Sequence, residues 1–161
     1  MKNLIVGVVD DIHLTLGRLA AVLRETELGH LPDLFQKNIV SGIIAELLSR
    51  GIVDRSNGMY RRNGPHRFPD LLSDEVPGVE IKVALDKNMP KGHLPKAGRY
   101  LVCRYAFVDQ QPRIFEVRCG EVGVEDFNVS STPGDSGKTA TIKAACLRRL
   151  EVIYSGCDVG V

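Results

Sequence analysis

The run at residues 99–108, Arg-Tyr-Leu-Val-Cys-Arg-Tyr-Ala-Phe-Val, constrains this chain most. Side chains alternate faces along a strand, and this one carries apolar residues at both odd and even positions. It is therefore expected to be a strand buried on both faces. Residues 11–26 place Leu16, Leu19, Ala20 and Leu23 at helical spacing, closed by Gly29 and Pro32. A second helix is predicted over 38–50, where Ile39, Val40, Ile43, Ile44, Leu47 and Leu48 form one wide stripe that Gly51 should stop. Residues 52–55 and 59–62 flank Ser56-Asn57-Gly58 and read as a hairpin, because both turn positions favour positive φ. Further strands are predicted at 79–85, at 114–119 after a Gln-Gln-Pro turn, at 125–129 and at 150–154. A turn at 134–138 is expected to lead into a helix over 138–149, with Ile142, Ala145 and Cys146 on one face and Arg149 snorkelling from its edge. Helices first, a β centre, then helix and strand predict a mixed α/β sheet with helices packed on it.

The 161 residues suit one domain, and the 43% hydrophobic and 25% charged fractions are those of an ordinary folded protein. No apolar run approaches a membrane span, and the short run after Lys2 meets Asp10 and Asp11 before a signal core is complete. No membrane partner and a cytoplasmic location are the expectations. Cys103, Cys119, Cys146 and Cys157 form no CxxC pair and read as small buried residues. The net charge of +1 makes no global case for nucleic acid. Locally, Lys82, Lys87, Lys91, Lys96, Arg99 and Arg104 are interrupted by one acid, Asp86, and such a stretch can contact phosphates.

Chemistry concentrates at 68–83, Phe-Pro-Asp-Leu-Leu-Ser-Asp-Glu-Val-Pro-Gly-Val-Glu-Ile-Lys-Val. Alternation sends Val79, Ile81 and Val83 to the core, and Glu80 and Lys82 together to the other face, about 7 Å apart along the strand. A carboxylate and an ammonium on a largely buried strand are costly unless paired or used. The Pro77-Gly78 turn lets the chain double back and bring Asp70 beside Glu80; Asp74 or Glu75 would take that place in a tighter turn. Two carboxylates, with the Ile81 carbonyl between Glu80 and Lys82, suit a hard cation such as Mg²⁺. Lys82 would stabilise charge developing on a phosphate, or position or deprotonate the attacking water.

Pro69-Asp70 followed by Glu80-Ile81-Lys82 resembles the motif of the PD-(D/E)XK nuclease superfamily, with some similarity to its mismatch-repair strand-nicking branch through Gly78–Lys82 and the later Leu101-Val102-Cys103. The motif itself covers 69–83. The resemblance implies a restriction-endonuclease-like mixed central sheet flanked by helices. Its α-β-β-β-α-β core would cover 38–155, with 1–37 as a helical extension packed on it. It implies an endonuclease hydrolysing DNA phosphodiesters with Mg²⁺, which Mn²⁺ can replace, and leaving 5′-phosphate ends. Asp70, Glu80 and Lys82 would be catalytic. Asp70, Glu80 and Ile81 would hold the metal, with Glu46 on the preceding helix as a further acid. Double-stranded DNA would be the partner, and cutting both strands calls for two sites, hence a homodimer.

Weaker signals add DNA contacts at Lys87, Lys91, His93 and Lys96, and at Arg61 and Arg62. His66 also flanks the site. The segment 132–139, Thr-Pro-Gly-Asp-Ser-Gly-Lys-Thr, lacks the first glycine of a phosphate-binding loop, so no nucleotide cofactor is expected. Lys138 and Thr139 at a helix start could instead receive a DNA phosphate. Tyr100 and Tyr105 read as sheet residues, and no basic-aromatic platform for single strands is evident. The rival reading is a non-catalytic DNA-binding protein, with either a winged helix over 31–62 or an inactive nuclease fold.

Overall fold

The first helix begins well before the periodic segment. In the computed structural model, which describes residues 1–86, 88–92, 94–131 and 138–156 (backbone alone at Ser131 and Lys138), α1 spans Lys2–Glu25. Its buried stripe is Ile5, Val8, Val9, Ile12, Leu16, Ala20 and Leu23, while Leu19 lies at the exposed edge. The early turns carry apolar residues all round, so the sequence shows no contrast there; burial against the sheet decides. After the single turn α2 (Leu31–Leu34), α3 runs Lys37–Arg55, straight through Gly51. A Cβ at Gly51 would stand 2.7 Å from Cγ1 of Val8, so the glycine lets α1 and α3 approach rather than ending the helix.

The hairpin at 52–62 therefore does not form: Ile52 is helical and buried. Asn57 and Gly58 do adopt positive φ, but they close α3, with the Met59 N–H donating to the Ser56 carbonyl. The winged-helix reading therefore loses the hairpin it placed at 52–62. The helix instead packs on the sheet through Val40, Ile44, Leu48 and Ile52.

The strands are β1 (Arg61–Arg62), β2 (Leu71–Leu72), β3 (Val79–Leu85), β4 (Lys91–Gly92), β5 (Gly98–Val108), β6 (Gln111–Val122), β7 (Phe127–Ser131), β8 (Lys138–Ile142) and β9 (Glu151–Ser155). Six form the main sheet in the order β1-β2-β3-β5-β6-β9, with β3 and β5 parallel and every other pair antiparallel. β5 is buried on both faces as expected. Leu101, Cys103 and Tyr105 join the core under α1 and α3; Tyr100 and Val102 join a second core with Phe127, Ala140, Ile142 and Cys146. The β5–β6 turn is Asp109-Gln110, both at positive φ, rather than Gln-Gln-Pro, so β6 starts earlier than predicted. A bulge at Phe115 returns Ile114 to the face of Val117 and Cys119.

The helix predicted over 138–149 is corrected. Residues 138–142 are β8, with Ala140 and Ile142 buried in alternation with Thr139 and Thr141; only Ala144–Arg149, α4, is helical. β-branched residues with period-2 burial favour the strand, and β7 and β4 pair on either side of it. Arg149 does not snorkel over the core but reaches Oδ2 of Asp126 at 2.7 Å. The strand predicted at 125–129 starts later, after the 3₁₀ turn Val124–Asp126.

The result is a mixed α/β fold: a mostly antiparallel sheet with α1 and α3 on one face, and α4 with the small β4-β8-β7 sheet on the other. Ile5, Val8, Val9, Ile12 and Leu16 of α1 share the main core with β3, β5 and β6. Among the described residues, no helix is long and apolar enough to cross a membrane.

Candidate functional site

The alternation of β3 determines which of its side chains face chemistry. Val79 and Ile81 enter the core beneath the helices, while Glu80 and Lys82 leave on the opposite face, in register with Tyr100 and Val102 of β5. Lys82 Nζ reaches Oε1 of Glu80 at 2.5 Å. Glu80 is only 8% exposed, and among the described residues its buried Oε2 has no hydrogen-bond partner. Burial raises the Glu80 pKa above its ordinary value; the Lys82 ammonium opposes this, while the Asp70 charge adds to it.

Asp70 reaches this edge because the chain doubles back through Pro77-Gly78. β2 pairs antiparallel with β3 at Leu71↔Val79. A Cβ at Gly78 would stand 2.6 Å from the Leu71 carbonyl oxygen and 2.7 Å from Cγ of Pro69, so only glycine permits so tight a return. Where β2 falls short, Asp70 Oδ2 accepts the Ile81 N–H at 2.7 Å and takes the place of a neighbouring strand. The N–H and C=O of one strand residue point to the same side, so the Ile81 carbonyl faces this edge too. Asp74 pairs with Arg61 at 3.0 Å and is well exposed, and Glu75 is exposed. Neither lines the cleft that holds Asp70.

Two adjoining clefts of about 440 and 450 Å³ share His66, Asp70 and Lys82. The first extends towards α3 and is bounded there by Glu46, Ser49 and Arg62. Glu46 lies on this rim but is engaged: Arg62 forks onto both its oxygens at 2.7 Å, and Arg50 Nε adds a third bond at 2.7 Å. These hydrogen bonds hold its carboxyl below the usual range. The second cleft opens over Glu80 between Phe68 and the Lys91–Lys96 segment.

The fold thus brings Asp70, Glu80, Ile81 and Lys82 together and leaves Glu46 across the first cleft. The proposed DNA contacts scatter more. Lys91 and Lys96 line the second cleft, whereas Arg61 and Arg62 are spent on Asp74 and Glu46. Thr139 lies in β8, not at a helix start. Lys87, His93, the Lys138 side chain and most of the 132–139 segment lie outside the described residues, as does Cys157. Cys103, Cys119 and Cys146 are free and buried, as expected. Sequence reading missed Phe68, Arg67 and Leu94 as cleft residues; the proximity of Phe68 to Pro69-Asp70 was the available signal.

All-oxygen donors fit a hard cation, and Oε2 of Glu80 is a buried acceptor in need of a partner. Among the described residues no group of three His, Cys, Asp or Glu side chains surrounds one point. One or two carboxylates suffice for Mg²⁺, which keeps several waters. No family model, curated protein or solved structure matches this chain.

Proposed function

We propose that the chain is a Mg²⁺-dependent DNA endonuclease of the PD-(D/E)XK kind, with Mn²⁺ able to substitute. The supporting observation is the convergence of Asp70, Glu80 and Lys82 on one cleft edge, with a buried Glu80 oxygen that has no hydrogen-bond partner among the described residues. The order α3-β3-β5-β6-α4-β9 is also compatible with a restriction-endonuclease-like core.

In this reading Asp70, Glu80 and the Ile81 carbonyl hold the ion. A Mg²⁺ held there would supply charge neutralisation at a phosphate oxygen and a water of lowered pKa. Lys82, now paired with Glu80, would donate to the non-bridging oxygen where charge develops. Glu46, paired with Arg62 and Arg50 on the rim of the first cleft, would reach the ion directly only by leaving those partners, and otherwise through water. Lys91 and Lys96 seat phosphates. Duplex DNA, intact or locally opened at the cut, is the substrate, cytoplasmic DNA the setting, and a homodimer supplies the second site where both strands are cut.

The test is hydrolysis of a fluorescent linear duplex in Mg²⁺ by the wild-type chain, Asp70→Asn and Lys82→Met, with the ends of the products identified. Cleavage to 5′-phosphates that both substitutions abolish supports the reading. Equal cleavage by all three rules out this site. Metal-independent DNA binding without cleavage favours the binding-only alternative.

A further inference from the structure

The second cleft has a character that phosphate binding alone does not explain. Its floor and walls are aromatic: Phe68 lies against Tyr100, with ring centroids 6.1 Å apart, and Tyr100 meets Phe127 edge-on at 6.0 Å. Tyr100 is anchored further by its hydroxyl, which donates to the Lys96 carbonyl at 2.8 Å. Phe68 meets this anchored ring at a tilt of 47°. Phe68 is half-buried against the second core and beside Gly98, and Lys96 Nζ stands over its ring, 5.1 Å from the centroid. Lys96 is exposed, and a long flexible ammonium is easily displaced from a ring face. Arg67 and Lys91 add positive charge at the same cleft, and Leu94, 57% exposed, gives it an apolar lip.

An aromatic face under a movable cation, flanked by basic side chains, is the arrangement that binds an unpaired base with its phosphates. A base inside a duplex has no free face to offer. We propose that this cleft binds an unpaired nucleotide of a DNA strand, its base stacked on Phe68 and its phosphate taken by the displaced Lys96. The substrate is then DNA that is single-stranded, or splayed open, beside the cut. This deepens the nuclease reading and rests on it for the placement of the cut beside Asp70 and Glu80. The volume, about 450 Å³, is ample for one nucleotide.

The experiment is fluorescence anisotropy in EDTA, so that binding is read without cleavage. The probes are a labelled single-stranded oligonucleotide and the same sequence as a blunt duplex. The wild type should bind the single strand more tightly. Phe68→Leu, which keeps an apolar side chain but no stacking face, should weaken that binding roughly tenfold and leave duplex binding unchanged. Lys96→Ala should reduce the salt slope for the single strand by about 0.7. Should Phe68→Leu fail to fold, Leu94→Ser carries the test, because this exposed and uncharged lip should matter only to a seated base. Preference for the blunt duplex, or single-strand affinity unaffected by these apolar substitutions, would overturn the inference. Phe68-dependent binding in a protein that never cleaves would discard the nuclease reading and keep this one. Duplex cleavage indifferent to Phe68→Leu would do the reverse.

Discussion

Glu80→Gln should make the protein more stable while destroying the metal site. The wild-type carboxyl sits where only 8% of the residue is exposed, and among the described residues Oε2 has no hydrogen-bond partner. A buried polar group left unsatisfied costs about 1–3 kcal/mol and more when it is charged, so the neutral amide that takes the place of Oε2 is the cheaper of two unsatisfied groups by on the order of 2 kcal/mol. The glutamine oxygen still accepts from Lys82, but a neutral acceptor is weaker than a carboxylate by about 1 kcal/mol. The difference is a net gain of about 1 kcal/mol, or about 2–4 °C in Tm for a chain of this size. The gain should depend on pH. The folded pKa of Glu80 is raised, so the native state binds this proton more tightly than the unfolded chain. Its contribution is most favourable below the ordinary glutamate value and is lost as pH rises through the raised folded pKa. Calorimetry in EDTA should therefore show the variant melting higher at pH 7, with the two proteins converging as the pH drops towards 4.5. A variant less stable by about 1 kcal/mol or more at pH 7 would mean that the Lys82 pair outweighs burial, and the argument from an unsatisfied carboxylate would fail.

Gly51→Ala sets a helix-propensity gain of about 1 kcal/mol against over-packing of about 1–3 kcal/mol where its Cβ would meet the fully buried Val8. Urea unfolding should show a net loss, and a more stable variant would contradict the tight α1–α3 contact. His13 Nε2 accepts the Ile114 N–H at 2.9 Å, and burial with the Arg113 charge lowers its pKa from 6.5, against a smaller opposing pull from Asp10. The native state binds this proton less tightly than the unfolded chain, so the urea midpoint should fall as pH drops below about 6.5; His13→Gln should flatten that slope. Mg²⁺ at a hundredfold excess over its Kd should stabilise the wild type by about 2.7 kcal/mol, and Asp70→Asn should show no such shift in Tm. Glu46→Gln breaks an exposed ion-pair cluster and should cost no more than about 1 kcal/mol while keeping the Mg²⁺ shift, if it is not a direct ligand; loss of that shift would make Glu46 a ligand.

How far the sequence could be read depended on whether a signal was local. The period-2 pattern of 79–83 separates Ile81 from Glu80 and Lys82 without knowledge of the neighbours, and the fold keeps that separation. Pro77-Gly78 marked the return that brings Asp70 to Ile81 N–H. Gly51 misled because its reason is another helix far away in sequence, not its own backbone. Asn57-Gly58 correctly signalled positive φ but not what lay on either side. Asp109-Gln110 turns a hairpin with neither glycine nor asparagine, so it left no mark. At 138–142 apolar residues spaced for a helix became a strand because β4 and β7 were there to pair with it. The Arg62 fork on Glu46 and the Lys96 cap on Phe68 join distant segments, and no spacing rule announces them.

The most direct measurement is cleavage of supercoiled plasmid in Mg²⁺ or Mn²⁺ by the wild-type chain and by Glu80→Ala. Metal-dependent nicking or linearisation by the wild type, absent in the variant, is the predicted result; equal activity in both proteins, or none from the wild type on either intact or locally unpaired DNA, would contradict the account.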